Sequence, residues 1–270
     1  MPIERAHFDR IADWFATGVD VVIIRVAAVE GSAPRDSDAM MSVTAEAMAG
    51  TIGGGQLEWL ALTQARDILS GKAGAGSRNI PLGPEIGQCC GGRVRLDFAR
   101  LDQSRLEELS RQASQAEREL KQAFIFGAGH TGKALATALA PLPLKTTLVD
   151  TRPEVPDSLS MPVATLTTAL PEETVHAAPP ASAFVTMTHE HSLDFLITAE
   201  ALKRGDAAYV GMIGSATKRA VFMNWLERND YGCELGDKLV CPIGGNRVKD
   251  KRPEVIAALT AAEILGAMAR

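Results

Sequence analysis

Apolar and polar positions divide the chain into three textures. Up to about residue 100, short apolar runs are punctuated by glycine; Leu101 to Gln122 is polar, glycine-free and helix-favouring; from Ala123 onward, strand-like runs alternate with helical ones. In the first stretch, Val21 to Ile24 with Val26 reads as a strand buried on both faces. Met40 to Val43 and Met48 to Ile52 predict a hairpin. Residues 56–69 predict a helix with Leu57, Leu60, Ala61, Ala65 and Ile68 on one stripe. After a loop over 71–87, the alternation through Arg93 to Phe98 predicts a strand with Val94, Leu96 and Phe98 facing inward.

In the last stretch, strands are predicted at 123–126, 146–149, 184–187, 208–212 and 239–241, and helices at 133–140, 194–204, 216–228 and 253–268. Such alternation implies a doubly wound parallel sheet. The expected class is therefore α/β: an N-terminal α+β domain over 1–100, a helical linker over 101–122 and a parallel-sheet domain over 123–270.

Composition narrows the function without naming it. With 270 residues, 46% hydrophobic and 23% charged, the chain should form about two domains with their own cores, neither disordered nor a disulfide-stapled miniprotein. A net charge of -5 leaves no basic excess for a phosphodiester backbone, so a nucleic-acid partner is not expected. The start lacks a signal-peptide core, and the longest apolar run, Val19 to Val29, is broken by Asp20 and Arg25; no membrane partner and a cytoplasmic location are expected. Cys89, Cys90, Cys233 and Cys241 lack the spacing of a zinc knuckle.

Four segments carry candidate chemistry. Gly127-Ala128-Gly129-His130-Thr131-Gly132 follows an apolar run and opens a helix, and Asp150 lies 18 residues beyond its last glycine. In a dinucleotide fold the glycines permit a tight turn, close approach of a pyrophosphate and helix–strand packing, while the acid holds a ribose diol. The alternative is a tight strand-to-helix turn that binds nothing. His189, His191 and Asp194 follow the next strand, where ligand contact, an incomplete zinc motif or plain loop ordering would all use these residues. Gly214 and Ser215 lead into a helix whose first turn holds Lys218 and Arg219, cations at the positive end of a helix dipole that a bound phosphate would compensate; a solvated basic pair is the competing reading. Gly87-Gln88-Cys89-Cys90-Gly91-Gly92 sets two adjacent thiols among glycines, suited to a soft metal or to sulfur, to inert packing, or to a redox switch.

Together with Glu30 to Arg35, Gly50-Thr51-Ile52-Gly53-Gly54-Gly55-Gln56-Leu57-Glu58, Tyr209 to Ser215 and Cys241-Pro242-Ile243-Gly244, these segments resemble the xanthine dehydrogenase accessory protein family, XdhC/CoxI, across nearly the whole chain. Gln56, where the CoxI-like branch carries cysteine, favours the XdhC branch. The resemblance implies a Rossmann-like second domain and a chaperone, not itself a catalyst, that binds the molybdenum cofactor (molybdopterin). It would shelter that cofactor while a cysteine desulfurase supplies sulfur, then pass it to the cofactor-binding subunit of xanthine dehydrogenase. The residues expected to contact the cofactor, in a cleft between the domains, are Gly53, Gly54, Gly55, Gln88, Cys89, Cys90, Gly91, Gly127, Gly129, His130, Gly132, Asp150, His189, His191, Gly214 and Ser215, with no resident metal site. An NAD(P)-dependent oxidoreductase is the alternative, and a homodimer the expected assembly.

Overall fold

The computed structural model describes residues 3–31, 37–83, 92–153 and 163–269. The chain divides into two compact units, Met1–Glu119 and Leu120–Arg270.

The first unit contains α1 (Arg5–Ala16), β1 (Val22–Glu30), β2 (Met40–Val43), β3 (Met48–Gly50), α2 (Gly55–Leu69), β4 (Gly76–Pro81), β5 (Arg93–Arg100) and α3 (Gln103–Glu119). Its antiparallel sheet runs β3-β2-β1-β5-β4. Central β1 is covered on both faces, which explains the consecutive apolar residues on either side of Arg25. Val22, Ile24 and Val26 pack with Met41, Leu96 and Phe98 beneath Leu57, Ala61, Ala65 and Ile68 of α2. Val21, Ile23 and Met40 face the other way, toward Phe8 and Ile11 of α1 and Leu109 and Ala113 of α3. Each Val, Leu, Ile, Met or Phe side chain among them, removed from water, stabilises by roughly 1.5–3 kcal/mol.

Two features here depart from the sequence reading. The segment 71–87, read as a loop, holds strand β4, whose side chains are exposed apart from half-buried Ile80. As an edge strand it needs no apolar face and tolerates Pro81. The segment 101–122, read as a linker, contributes α3 to the two-helix layer of the first unit.

The second unit contains β6 (Lys121–Phe126), α4 (His130–Leu139), β7 (Leu144–Asp150), β8 (Ala164–Thr167), α5 (Pro171–Ala177), β9 (Ala183–Thr186), α6 (His191–Lys203), β10 (Tyr209–Met212), α7 (Ala216–Arg228), a 3-10 turn (Cys233–Lys238) and α8 (Pro253–Met268). The sheet is parallel throughout, in the order β10-β9-β6-β7-β8. Residues alternate between its faces: Ala123 and Ile125 pack toward Leu135 of α4 and Ile264 of α8, Phe124 and Phe126 toward Val175, Phe195 and Phe222 of α5, α6 and α7. The strand expected at 239–241 shrinks to one parallel bridge between Val240 and Gly211. Pro242 has no N–H with which to continue it. The expected α/β class, with its Rossmann-like parallel sheet, is what the chain adopts. No helix among the described residues is long and apolar enough to cross a membrane.

Candidate functional site

The parallel sheet fixes where a ligand can approach. From β6 the chain builds outward through β7 and β8, then returns to place β9 and β10 on the other side of β6. The order thus reverses between β6 and β9, and ligands of open α/β sheets bind beyond the carboxyl ends of the strands flanking such a reversal. Gly127, at the end of β6, donates its N–H to the Val149 carbonyl at 2.8 Å, while Met187, beyond β9, donates to the Phe126 carbonyl at 2.8 Å.

The three glycines of the loop do different work. Gly127 has φ +109°, and a Cβ there would lie 2.4 Å from the Met187 carbonyl oxygen. A Cβ on Gly132 would lie 1.8 Å from the Gly127 carbonyl oxygen, so α4 can sit this close to β6 only without a side chain at that position. A Cβ on Gly129 would meet nothing within 4 Å. Gly129 and His130 are exposed at the N-terminus of α4, where the amides of a helix's first turn favour an anion.

Asp150 stands at the end of β7, as its spacing predicted, but its carboxylate is occupied. Oδ2 accepts the Ala128 N–H at 2.7 Å and Arg152 Nη2 at 3.0 Å; Oδ1 accepts the Arg152 N–H at 2.9 Å and Arg152 Nε at 3.0 Å. Four donors fill the roughly four lone-pair sites of a carboxylate. Burial alone would raise the Asp150 pKa, yet the Arg152 side chain and the two backbone N–H groups outweigh it and hold the group down to about 2. A ribose diol reaches this carboxylate only by displacing Arg152. The crevice bounded by Gly127, Asp150, His189 and Leu193 leaves about 10 Å³, the scale of a single water.

Across the reversal, the loop 187–191 is tied down by a side chain set apart from it in sequence. Asp194, fully buried in the first turn of α6, accepts the Thr188 N–H at 2.8 Å through Oδ1 and the Lys218 ammonium at 2.5 Å through Oδ2. His189 and His191 are exposed, and the His191 ring stacks on Phe195 with centroids 6.5 Å apart. Among the described residues no group of three His, Cys, Asp or Glu side chains converges to hold a metal ion.

The same ion pair accounts for one of the two cations of α7. Lys218 is compensated by the protein's own buried carboxylate, whereas Arg219, half-buried, donates to the neutral Gly236 carbonyl at 3.2 Å. Ser215 is the N-cap of α7, its hydroxyl accepting the Lys218 N–H at 3.3 Å. A Cβ at Gly214 would fall 2.7 Å from Lys218 Cδ, so the glycine clears the path along which the lysine stem reaches Asp194.

In the first unit, Gly53, Gly54 and Gly55 have φ of +130°, +81° and +65°, leading into α2. Glu58, in the first turn, fixes this loop: Oε1 accepts the Ile52 N–H at 3.0 Å and the Thr51 hydroxyl. Thr51 Oγ1 in turn accepts the Gly53 N–H at 3.2 Å. The sequence reading missed the roles of Glu58, Lys218 and Arg152; an acid one turn into a helix that follows a glycine run was the available signal for Glu58. Gln88, Cys89, Cys90 and Gly91 lie outside the described residues.

A dinucleotide-type parallel-sheet unit with a glycine loop at its reversal point, preceded by an antiparallel sheet between helices, defines the class. Residues 123–264 match the XdhC Rossmann domain and residues 14–76 the XdhC and CoxI family. The chain belongs to the XdhC family. It is similar in fold to the crystal structure of a xanthine dehydrogenase from Bacillus halodurans, with TM-score 0.77 and 18% identity over 97% of this chain and 96% of that one. A malate dehydrogenase from Cryptosporidium parvum matches with TM-score 0.30 and 13% identity over 39% of this chain and 41% of that one. No curated protein matches.

Proposed function

We propose that this chain is an accessory protein that holds the molybdenum cofactor and delivers it to a xanthine dehydrogenase, without turning over substrate itself. The cargo is an anionic pterin whose phosphate suits exposed backbone amides and whose metal suits soft donors. The observation that carries the reading is the division of labour at the 127–132 loop: backbone crowds Gly127 and Gly132, whereas Gly129 faces open space at a helix N-terminus. Gly53, Gly54 and Gly55 offer a second run of side-chain-free backbone, and Cys89 and Cys90 supply the thiols. A cysteine desulfurase and the cofactor-binding subunit of xanthine dehydrogenase are the partners this role requires, the first supplying the sulfur that replaces an oxo ligand on molybdenum.

The test is purification after co-expression with cofactor biosynthesis, followed by oxidation and pterin fluorescence. Up to one pterin per chain is expected, with reduced retention in Cys89→Ala or Cys90→Ala. Protein free of pterin would overturn the reading, and undiminished retention in both variants would remove the thiols from it.

The glycine loop also favours a second reading, an NAD(P)-dependent oxidoreductase, but the four donors around Asp150 oppose it, since the ribose contact must displace Arg152. Flat calorimetric titrations with NAD and NADP are expected; saturable binding lost in Asp150→Ala would favour the oxidoreductase.

A further inference from the structure

We propose that the second unit carries another ligand site, for a phosphorylated heterocycle the size of a nucleoside monophosphate, in the cavity between the end of β10 and the segment 242–251. It shares no residue with the crevice at Gly127, although Gly214 and Ser215, expected from the sequence to contact the cofactor, line it, and it does not rest on the metallopterin reading. The cavity measures about 760 Å³, within the roughly 300–1,000 Å³ range of small-molecule sites. It lies beyond the carboxyl end of β10 and the Val240 bridge, on the carboxyl side of the sheet where ligands of open α/β sheets bind.

Its walls divide by chemistry. Ile213, Pro242, Ile243, Val248 and Ile256 form an apolar lining, and Val248 keeps 46% of its surface exposed, an apolar area that a flat ring would cover. Lys249 and Lys251 also line the cavity, and among the described residues neither has a hydrogen-bond or ion-pair partner. The acid between them, Asp250, is already neutralised: it accepts the Arg252 N–H, Nε and Nη2 at 2.6–3.1 Å. The local excess is therefore two positive charges, and Ser215 and Ala216, the N-cap and first residue of α7, line the same cavity. A dianionic phosphate matches that excess, and the apolar lining asks for a ring system attached to it.

The wall is held in place from behind. Glu263 Oε2 accepts the Gly244 N–H at 3.0 Å and the Tyr209 hydroxyl at 2.7 Å, fixing the turn at Gly244 and Gly245, whose φ are +73° and +65°. Such a cavity does not have to be assembled by the ligand, which lowers the ordering cost of binding.

The experiment is calorimetric titration of the full chain with AMP at low salt, with adenosine and inorganic phosphate titrated separately. AMP is expected to bind at least tenfold more tightly than either part. Lys249→Ala with Lys251→Ala should weaken AMP at least tenfold, because both positions are exposed and the fold does not depend on them. Gly129→Ala should leave the AMP affinity unchanged, and AMP should slow amide hydrogen exchange across 242–256. A flat AMP titration, equal affinity in the double lysine variant, or a loss confined to Gly129→Ala would each overturn the proposal. Pterin retention is read independently, so this site and the metallopterin reading fail separately.

Discussion

Two glycine-rich loops, one in each unit, look alike as letters and owe their glycines to different forces. Gly127 and Gly132 are held by crowding, with backbone oxygens 2.4 Å and 1.8 Å from where a Cβ would sit. Gly54 is held by conformation: nothing lies within 4 Å of its missing Cβ, but φ +81° and ψ -179° form a region almost closed to other residues. The first loop is bound into the sheet beside it, and the second is bent into shape and pinned by Glu58. A glycine run in a sequence therefore says that a side chain is unwelcome without saying whether space or torsion excludes it.

The comparison can be tested from its strongest consequence downward. Lys218→Met strips the buried Asp194 of its counter-charge and should destabilise the protein by about 3–5 kcal/mol in urea denaturation; a loss under 1 kcal/mol would mean that Thr188 alone satisfies the acid. Gly132→Ala forces α4 away from β6 and should cost about 3 kcal/mol, with altered near-ultraviolet dichroism as the check on displaced packing.

Asp150→Asn should cost about 2 kcal/mol at neutral pH, the worth of hydrogen bonds to a charged group. The native carboxyl titrates near 2, below its ordinary value of 3.8. Its contribution is therefore complete above about pH 5 and fades as pH falls toward 2, because the unfolded chain takes the proton first. Stability curves of the two proteins against pH should converge on acidification; a constant gap would contradict the Arg152 clamp. Gly54→Ala should cost about 1–2 kcal/mol from torsion alone, less than Gly132→Ala, and a reversed order in thermal melts would undo the contrast between the loops. Gly129→Ala should cost no more than about 1 kcal/mol, the loss of a glycine N-cap, while lowering pterin retention, the pairing expected of a glycine that keeps space open for a ligand.

The parallel sheet was legible because β6, β9 and β10 hold apolar runs covered on both faces, and because Pro253 marks a helix start by chemistry intrinsic to the residue. Strands β4 and β8 were not legible: at the sheet edges their residues are almost wholly exposed, so neither alternation nor an apolar run betrays them. The candidate site was legible by position and not by partner. Asp150 falls where the spacing puts it, yet its environment is set by Arg152, whose side chain folds back two residues. Lys218 looked like a cation in need of an anion because Asp194, 24 residues earlier, becomes its neighbour only once β9 and β10 pair.

The single bridge at Val240 has a consequence beyond the sheet. Had this stretch run on as a full sixth strand, residues after it would have spent their amides on β10 and lain flat against it. Because pairing ends at Pro242, the backbone is released to arch outward through two left-handed glycines before α8 begins at Pro253. A truncated edge thus becomes architecture, since the length withheld from the ladder is the material from which a concave wall is made.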